Sequence, residues 1–170
     1  MSTAYLGLGS NLGDRAAHLL QAVVMLIGQG LQVTRASSIY ETEPTDLSAP
    51  FVDQPQFLNM VITVSASQLD PYSLLSDCLD IERRLGRNRS IAQGARTVDI
   101  DLLILDDLIV DGSRGEIRLA LPHPRMQLRR FVLEPLAEIA PDLVHPVTHL
   151  TVREMLSRVS DNSSVKIYRS

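Results

Sequence analysis

Gly94-Ala95-Arg96-Thr97-Val98-Asp99-Ile100-Asp101-Leu102-Leu103-Ile104-Leu105 is the stretch on which the reading of this chain turns. An arginine-bearing loop runs into a segment that is apolar except for two carboxylates. Side chains on a strand alternate between faces, so Asp99 and Asp101 point one way while Val98, Ile100 and Leu102 point the other. Two acids at that spacing on a rigid strand make a platform for a divalent cation. Magnesium takes one or two carboxylates and completes its shell with water and phosphate oxygens. The alternative is a pair of solvated acids on a sheet edge. Against it stands Leu103-Ile104-Leu105, an apolar run that predicts a central, buried strand. Charges beside a core call for a compensating cation.

Around this strand the chain has 170 residues, 45% hydrophobic and 21% charged, which suits one globular domain over 1–170 with a core of its own. No apolar run reaches membrane-spanning length, and the first twenty residues lack the basic start and apolar middle of a signal peptide. Cys78, the one cysteine, excludes an internal disulfide, fits a reducing cytoplasm and is expected to pack. The net charge of −4 argues against a general nucleic-acid surface. Of sixteen basic residues only Lys166 is a lysine, and Arg83, Arg84, Arg87, Arg89 and Arg96 crowd one region. Guanidinium forks match phosphate and carboxylate oxygens, so a small anionic ligand is expected there. Solvated cations at a helix C-terminus account for Arg83 and Arg84 but not for the loop arginines.

Hydrophobic spacing predicts strands at 4–8, 31–40, 57–65 and 97–105, with helices at 12–27 and 71–85. Residues 41–56 form a long loop carrying Pro44, Pro50 and Pro55, a length usually reserved for function. A short hairpin is expected at 108–110, with later helices near 131–138 and 152–159. The order βαββαβ predicts an α+β fold: a ferredoxin-like core, mainly antiparallel sheet with helices packed on one face, and additional C-terminal elements.

Gly7-Leu8-Gly9-Ser10-Asn11-Leu12-Gly13 lies between strand and helix, as a dinucleotide fingerprint would. Its third glycine falls one residue late, and no acid near residue 33 could hold a ribose, so a tight turn fits better. His145 and His149 are four apart, but Pro146 argues against a shared helical turn and a zinc pair. His123, between prolines and followed by Arg125, Arg129 and Arg130, is a candidate for anion binding or else a turn histidine in water. Phe57, Asn59 and Phe131 could frame a flat heterocycle, with two aromatic faces and an amide; core packing is the alternative for the phenylalanines.

Together these segments resemble the 6-hydroxymethyl-7,8-dihydropterin pyrophosphokinases of folate biosynthesis. The resemblance runs from Tyr5-Leu6-Gly7-Leu8-Gly9-Ser10-Asn11-Leu12-Gly13-Asp14 to about Pro141. Its most specific parts are Arg96-Thr97-Val98-Asp99-Ile100-Asp101-Leu102-Leu103 and Leu121-Pro122-His123-Pro124-Arg125-Met126, the latter leading into Phe131-Val132-Leu133-Glu134-Pro135-Leu136. It implies transfer of pyrophosphate from ATP to the pterin hydroxymethyl group, with AMP released. It further implies that Asp99 and Asp101 hold two magnesium ions, and that Arg87 and Arg96 act with them in catalysis. Asn59 would meet the pterin edge between Phe57 and Phe131, with Thr42 and Pro44 where the pterin-side loop begins. Glu82, Arg89, Arg96, Ile100, His123 and Arg129 would serve ATP. Gln93 departs from a large aromatic found in some members, Ala95 replaces a common proline, and the arginine loop is a residue shorter than in some relatives.

The implied chemistry needs positioning and charge neutralisation rather than a covalent intermediate. The sequence offers no obvious general base, so metal coordination is expected to activate the hydroxyl, and the loops at 41–56 and 86–96 to close over ATP. Two other functions share some of these features. A ferredoxin-like RNA-binding module would need stacking aromatics on its central strands, which 98–105 lacks. A metal-dependent phosphodiesterase would use the two aspartates but leaves the aromatic-amide slot unexplained. The expected partners are thus ATP and the pterin alcohol, with neither nucleic acid nor membrane, and the expected state is a cytoplasmic monomer.

Overall fold

A computed structural model describes residues 1–44, 55–86 and 97–169. Its elements are β1 (Ser2–Ser10), α1 (Arg15–Gly28), β2 (Gln32–Ala36), β3 (Tyr40–Thr42), β4 (Phe57–Ala66), α2 (Pro71–Arg84) and β5 (Asp99–Leu105), followed by β6 (Val110–Arg114), β7 (Ile117–Leu121), α3 (Arg130–Ile139), α4 (Val152–Arg158) and β8 (Val165–Ile167). Six strands form the main sheet in the order β5-β1-β4-β3-β8, with β2 also pairing β4. The pairs β1–β4, β1–β5 and β2–β4 are all antiparallel. The core is therefore the ferredoxin-like arrangement, in which β4 enters between β1 and β2 to split a βαβ unit.

The helix starts follow from local chemistry. Asp14 accepts from the Ala17 amide to cap α1, and Asp70 accepts from the Ser73 amide to cap α2, with Pro71 in the first turn. On one face of the sheet Leu6, Leu8, Leu58, Ile62 and Ile100 pack against Leu19 and Leu26 of α1 and Leu74, Cys78 and Ile81 of α2. On the other face Val61, Leu103 and Ile104 pack against Val132, Leu133 and Leu136 of α3 and Met155 of α4. Helices thus cover both faces, not one. Cys78 packs as expected, and burial pushes its thiol up to about 12.

Several boundaries differ from the sequence pattern. β1 continues through Gly9 and Ser10, because both residues are paired with β4 and Gly9 also with β5. The strand predicted at 31–40 breaks at Ser37: the Ser37 hydroxyl accepts from the Val61 amide at 3.0 Å, in place of a backbone partner. The Ser38 amide and hydroxyl then turn to the Glu138 carboxylate on α3. β3 (Tyr40–Thr42) runs from the end of the predicted strand into the predicted loop, where Glu41 and Thr42 are paired by β4 on one side and β8 on the other.

β5 is an edge strand, although its sequence predicts a central one. Its burial comes from the helix layers on its two faces, and its outer edge is occupied otherwise. The Ile100 amide donates to Glu82 Oε1 at 2.8 Å, and Leu103 O accepts from the His123 amide at 2.8 Å. A bulge places Leu6 opposite Leu102 and Tyr5 opposite Ile104, so Leu103 and Ile104 both join the α3 layer. The hairpin begins where it was expected to end, turning through Gly115 at φ +61°. The outer face of α1 exposes Leu20, Val24 and Ile27, a row that the sequence pattern does not single out.

His145 is buried, and its Nδ1 accepts from the Val147 and Thr148 amides at 3.3 and 3.2 Å. His149, by contrast, is exposed. Burial lowers the His145 pKa, so on acidification the unfolded chain takes up a proton at this position before the folded chain does. Stability is therefore expected to fall as pH drops below about 6.5. Denaturant titrations between pH 7.5 and 4.5 should show a shallower fall for His145→Asn, whose amide oxygen can replace Nδ1; identical slopes would refute this assignment.

Candidate active site

The site lies on the α3 face of the sheet, across the glycine-bearing end of β1. Gly9 is opposite Asn59 on one side and Asp99 on the other, and Gly7 is opposite Val61 and Asp101. Residues directly across an antiparallel pair share a face, so Asn59, Asp99 and Asp101 project together around two positions without side chains. Asn59 and Asp99 stand two strands apart, about 10 Å, which leaves a floor of bare backbone between them. A Cβ on Gly9 would come within 2.7 Å of Asn59 Oδ1, so glycine is required there for the amide to hold its place.

On the amide side, Asn59 Nδ2 donates to Thr42 Oγ1 at 2.7 Å, and both residues are buried. Thr42 is opposite Phe57, a half-buried ring on the same strand as Asn59. Pro44, also half-buried, follows two residues after Thr42. Phe131 approaches from the first turn of α3, with the Arg129 guanidinium 5.5 Å from its ring centre.

On the acid side, Arg129 Nη1 lies 4.0 Å from Asp101 Oδ2, with these side chains 22% and 34% exposed. Asp99, like Asp101, is of intermediate exposure. His123 is held beside β5 by its backbone bond to Leu103. Burial, with the Arg129 and Arg125 guanidiniums, pushes its imidazole down to about 4 despite the opposing Asp99 carboxylate. The ring is neutral at pH 7, and Nδ1 accepts from the Arg125 amide at 3.3 Å. That bond assigns the proton to Nε2, making it a donor.

Other candidates occupy different places. Ile100 turns its side chain into the α1–α2 core, leaving only its backbone for a ligand. Glu82 is buried, with its carboxylate against the backbone of β5. Arg125 is exposed, and Arg130 turns away to Glu134 and Asp161. Arg87, Arg89 and Arg96, with Gln93 and Ala95, lie outside the described residues. The residues that sequence reasoning missed are Gly7 and Gly9, which serve as floor rather than turn; only Gly13 at φ +62° belongs to the turn. Two glycines in a strand are themselves a signal of close approach by a ligand or another backbone.

Among the described residues no group of three or more His, Cys, Asp and Glu side chains could hold a metal alone. The donor set nevertheless fits a small hard cation: two part-exposed carboxylates on one face of the strand, a number that leaves coordination positions for water and phosphate oxygens. Fold and site together define a ferredoxin-like α+β protein with a buried amide and an acid pair on one face of its sheet.

Residues 5–141 match the family model described as 7,8-dihydro-6-hydroxymethylpterin-pyrophosphokinase, and the chain belongs to that family. It is 42% identical over 168 residues to the 2-amino-4-hydroxy-6-hydroxymethyldihydropteridine pyrophosphokinase of Methylorubrum extorquens, covering 98% of this chain and 99% of that one. The enzyme of the same name from Bacillus subtilis is 40% identical over 167 residues, covering 98% and 90%. The folic acid synthesis protein fol1 of Schizosaccharomyces pombe is 38% identical over 98% of this chain, which spans only 22% of that protein. A solved Plasmodium falciparum HPPK-DHPS structure superposes with a TM-score of 0.70 over 93% of this chain and 43% of its own; at 17% identity that likeness is one of fold.

Gly9→Ala should displace the Asn59 amide from Thr42 at a cost of about 1 kcal/mol, the net worth of one hydrogen bond. The Asn59 side-chain NH2 resonances should then shift while β1 backbone amides keep their exchange protection. Unmoved Asn59 resonances would contradict the close approach.

Proposed function

We propose that the chain transfers the terminal pyrophosphoryl group of ATP to the hydroxymethyl oxygen of 6-hydroxymethyl-7,8-dihydropterin, giving the pterin diphosphate and AMP in folate biosynthesis. The observation that carries the reading is the pairing of Gly9 with both Asn59 and Asp99. It supports the reading because the Asn59 amide and the acid pair share one face of the sheet, two strands apart.

In this reading the pterin ring lies between Phe57 and Phe131. Thr42 takes one proton of Asn59 Nδ2, fixing the amide so that Oδ1 and the second proton can meet the ring's donor–acceptor edge. Pro44 closes that end of the slot. Asp99 and Asp101 would hold two magnesium ions, which when bound neutralise phosphate charge and lower the pKa of the attacking hydroxyl. Arg129, whose Nη1 lies 4.0 Å from Asp101 Oδ2, would accompany the triphosphate in this reading. The neutral His123 donates from Nε2 to a phosphate oxygen without adding charge. Glu82 holds the Ile100 backbone, keeping β5 and its two acids in register with β1. Arg87, Arg89 and Arg96 are assigned from sequence to the charge developing on the equatorial phosphate oxygens.

We further infer that residues 1–170 form one domain, acting as a cytoplasmic monomer on small molecules alone. Among the described residues no helix is long and apolar enough to cross a membrane.

Incubation with ATP, magnesium and the pterin alcohol should yield AMP and the pterin diphosphate in equal amounts. AMP formed without the pterin would instead identify a hydrolase. Asp99→Ala should lower turnover by at least ~100-fold with the fold retained. Undiminished turnover at saturating magnesium would remove Asp99 from its role.

A further inference from the structure

α3 begins with a cap that its own sequence does not supply. The first amides of a helix have no partner within the helix, and Arg129, the residue before α3, makes no side-chain capping bond. Asp161 provides it from 31 residues further on: its Oδ2 accepts from the Arg130 amide at 2.9 Å, and its backbone carbonyl accepts from Arg130 Nε, also at 2.9 Å. The carboxylate is itself held, because Oδ1 accepts from the Ser163 amide at 2.9 Å. A negative charge at this end of the helix is also favoured by the peptide dipoles.

The same stretch then fastens the other wall of the slot. Ser164 O accepts from the Glu43 amide at 3.4 Å. β8 pairs with β3 so that Val165 is opposite Thr42 and Ile167 opposite Tyr40. Thr42 is the residue that orients Asn59. One short segment beyond the family match at 5–141 therefore holds Arg130, the residue between Arg129 and Phe131, at one side and the strand that carries Thr42 at the other.

We propose that Asp161 is a positioning residue for substrate binding: by capping α3 from the C-terminal segment, it sets where the Phe131 ring and the Arg129 guanidinium stand over the site. This inference rests on the transferase reading above. It predicts that loss of the cap appears in substrate affinity rather than only in stability.

The test is steady-state kinetics on the full chain, varying ATP and the pterin alcohol, with thermal melts of each variant. Asp161→Ala should raise KM for both substrates by roughly fivefold, the scale of a lost helix cap, with kcat within about twofold of wild type. Asp161→Asn keeps an oxygen acceptor for the Arg130 amide and should restore KM. Thr151→Ala removes the capping box of α4, away from the slot, and should lower the melting temperature comparably with KM unchanged. If Asp161→Ala does not fold, Asp161→Glu takes its place; it keeps the charge but shifts the carboxylate, and KM should again rise. Unchanged KM in the capping variant, an equal rise in Thr151→Ala, or an Asn variant as impaired as Ala would each overturn the inference. An inactive wild type would strike the transferase reading instead.

Discussion

The structure depends on β1 being paired along both edges. An inner strand has no freedom to slide without moving two neighbours, and a one-residue slip would turn every side chain to the opposite face. Its register with β4 and β5 fixes Asn59 and Asp99 across Gly9, and Asp101 across Gly7. The alternating Leu6 and Leu8 are buried against α1 and α2 and hold that register. Core packing on one face thereby determines polar geometry on the other.

Over this floor sits a layer contributed mostly by later sequence. Met126, Val132, Leu133 and Leu136 seat α3 on Val61, Leu103 and Ile104, with Phe131 packed against this cluster and Arg129 Nη1 4.0 Å from Asp101 Oδ2. The far end of α3 is secured as well: Glu138 accepts from Ser38 and from the Tyr40 hydroxyl, and Arg35 donates to Ile139 O. Burial, followed by the Glu138 contact, pushes the Tyr40 phenol up to about 12, so it stays protonated and keeps donating. α3 is thus pinned to the β2–β3 side at one end and to the C-terminal segment at the other. Its first turn is correspondingly defined.

Much of this was legible in the sequence because it is local. The alternation in β5 separates Asp99 and Asp101 from Ile100, and the apolar spacing over 71–85 marks α2. What escaped depends on partners far along the chain. Ser37 ends β2 by bonding Val61, and Ser38 reaches a carboxylate 100 residues away. β8 is three residues long and mostly exposed, without a pattern to mark it. Leu103-Ile104-Leu105 suggested an inner strand because burial by two helix layers leaves the same apolar run as burial between strands. Gly7 and Gly9 suggested a turn, since a glycine that makes room is indistinguishable by composition from one that permits a bend. The acids, the amide and the phenylalanines were chemically conspicuous; the bare floor joining them emerges only from the register.

The most direct test is a crystal structure with a non-hydrolysable ATP analogue, magnesium and the pterin alcohol. The account predicts cation density on Asp99 and Asp101, the ring between Phe57 and Phe131 with its edge on Asn59, and the hydroxymethyl group lying over Gly9 toward the phosphates. A ring bound elsewhere, or cations held by other side chains while Asp99 and Asp101 contact protein alone, would contradict it.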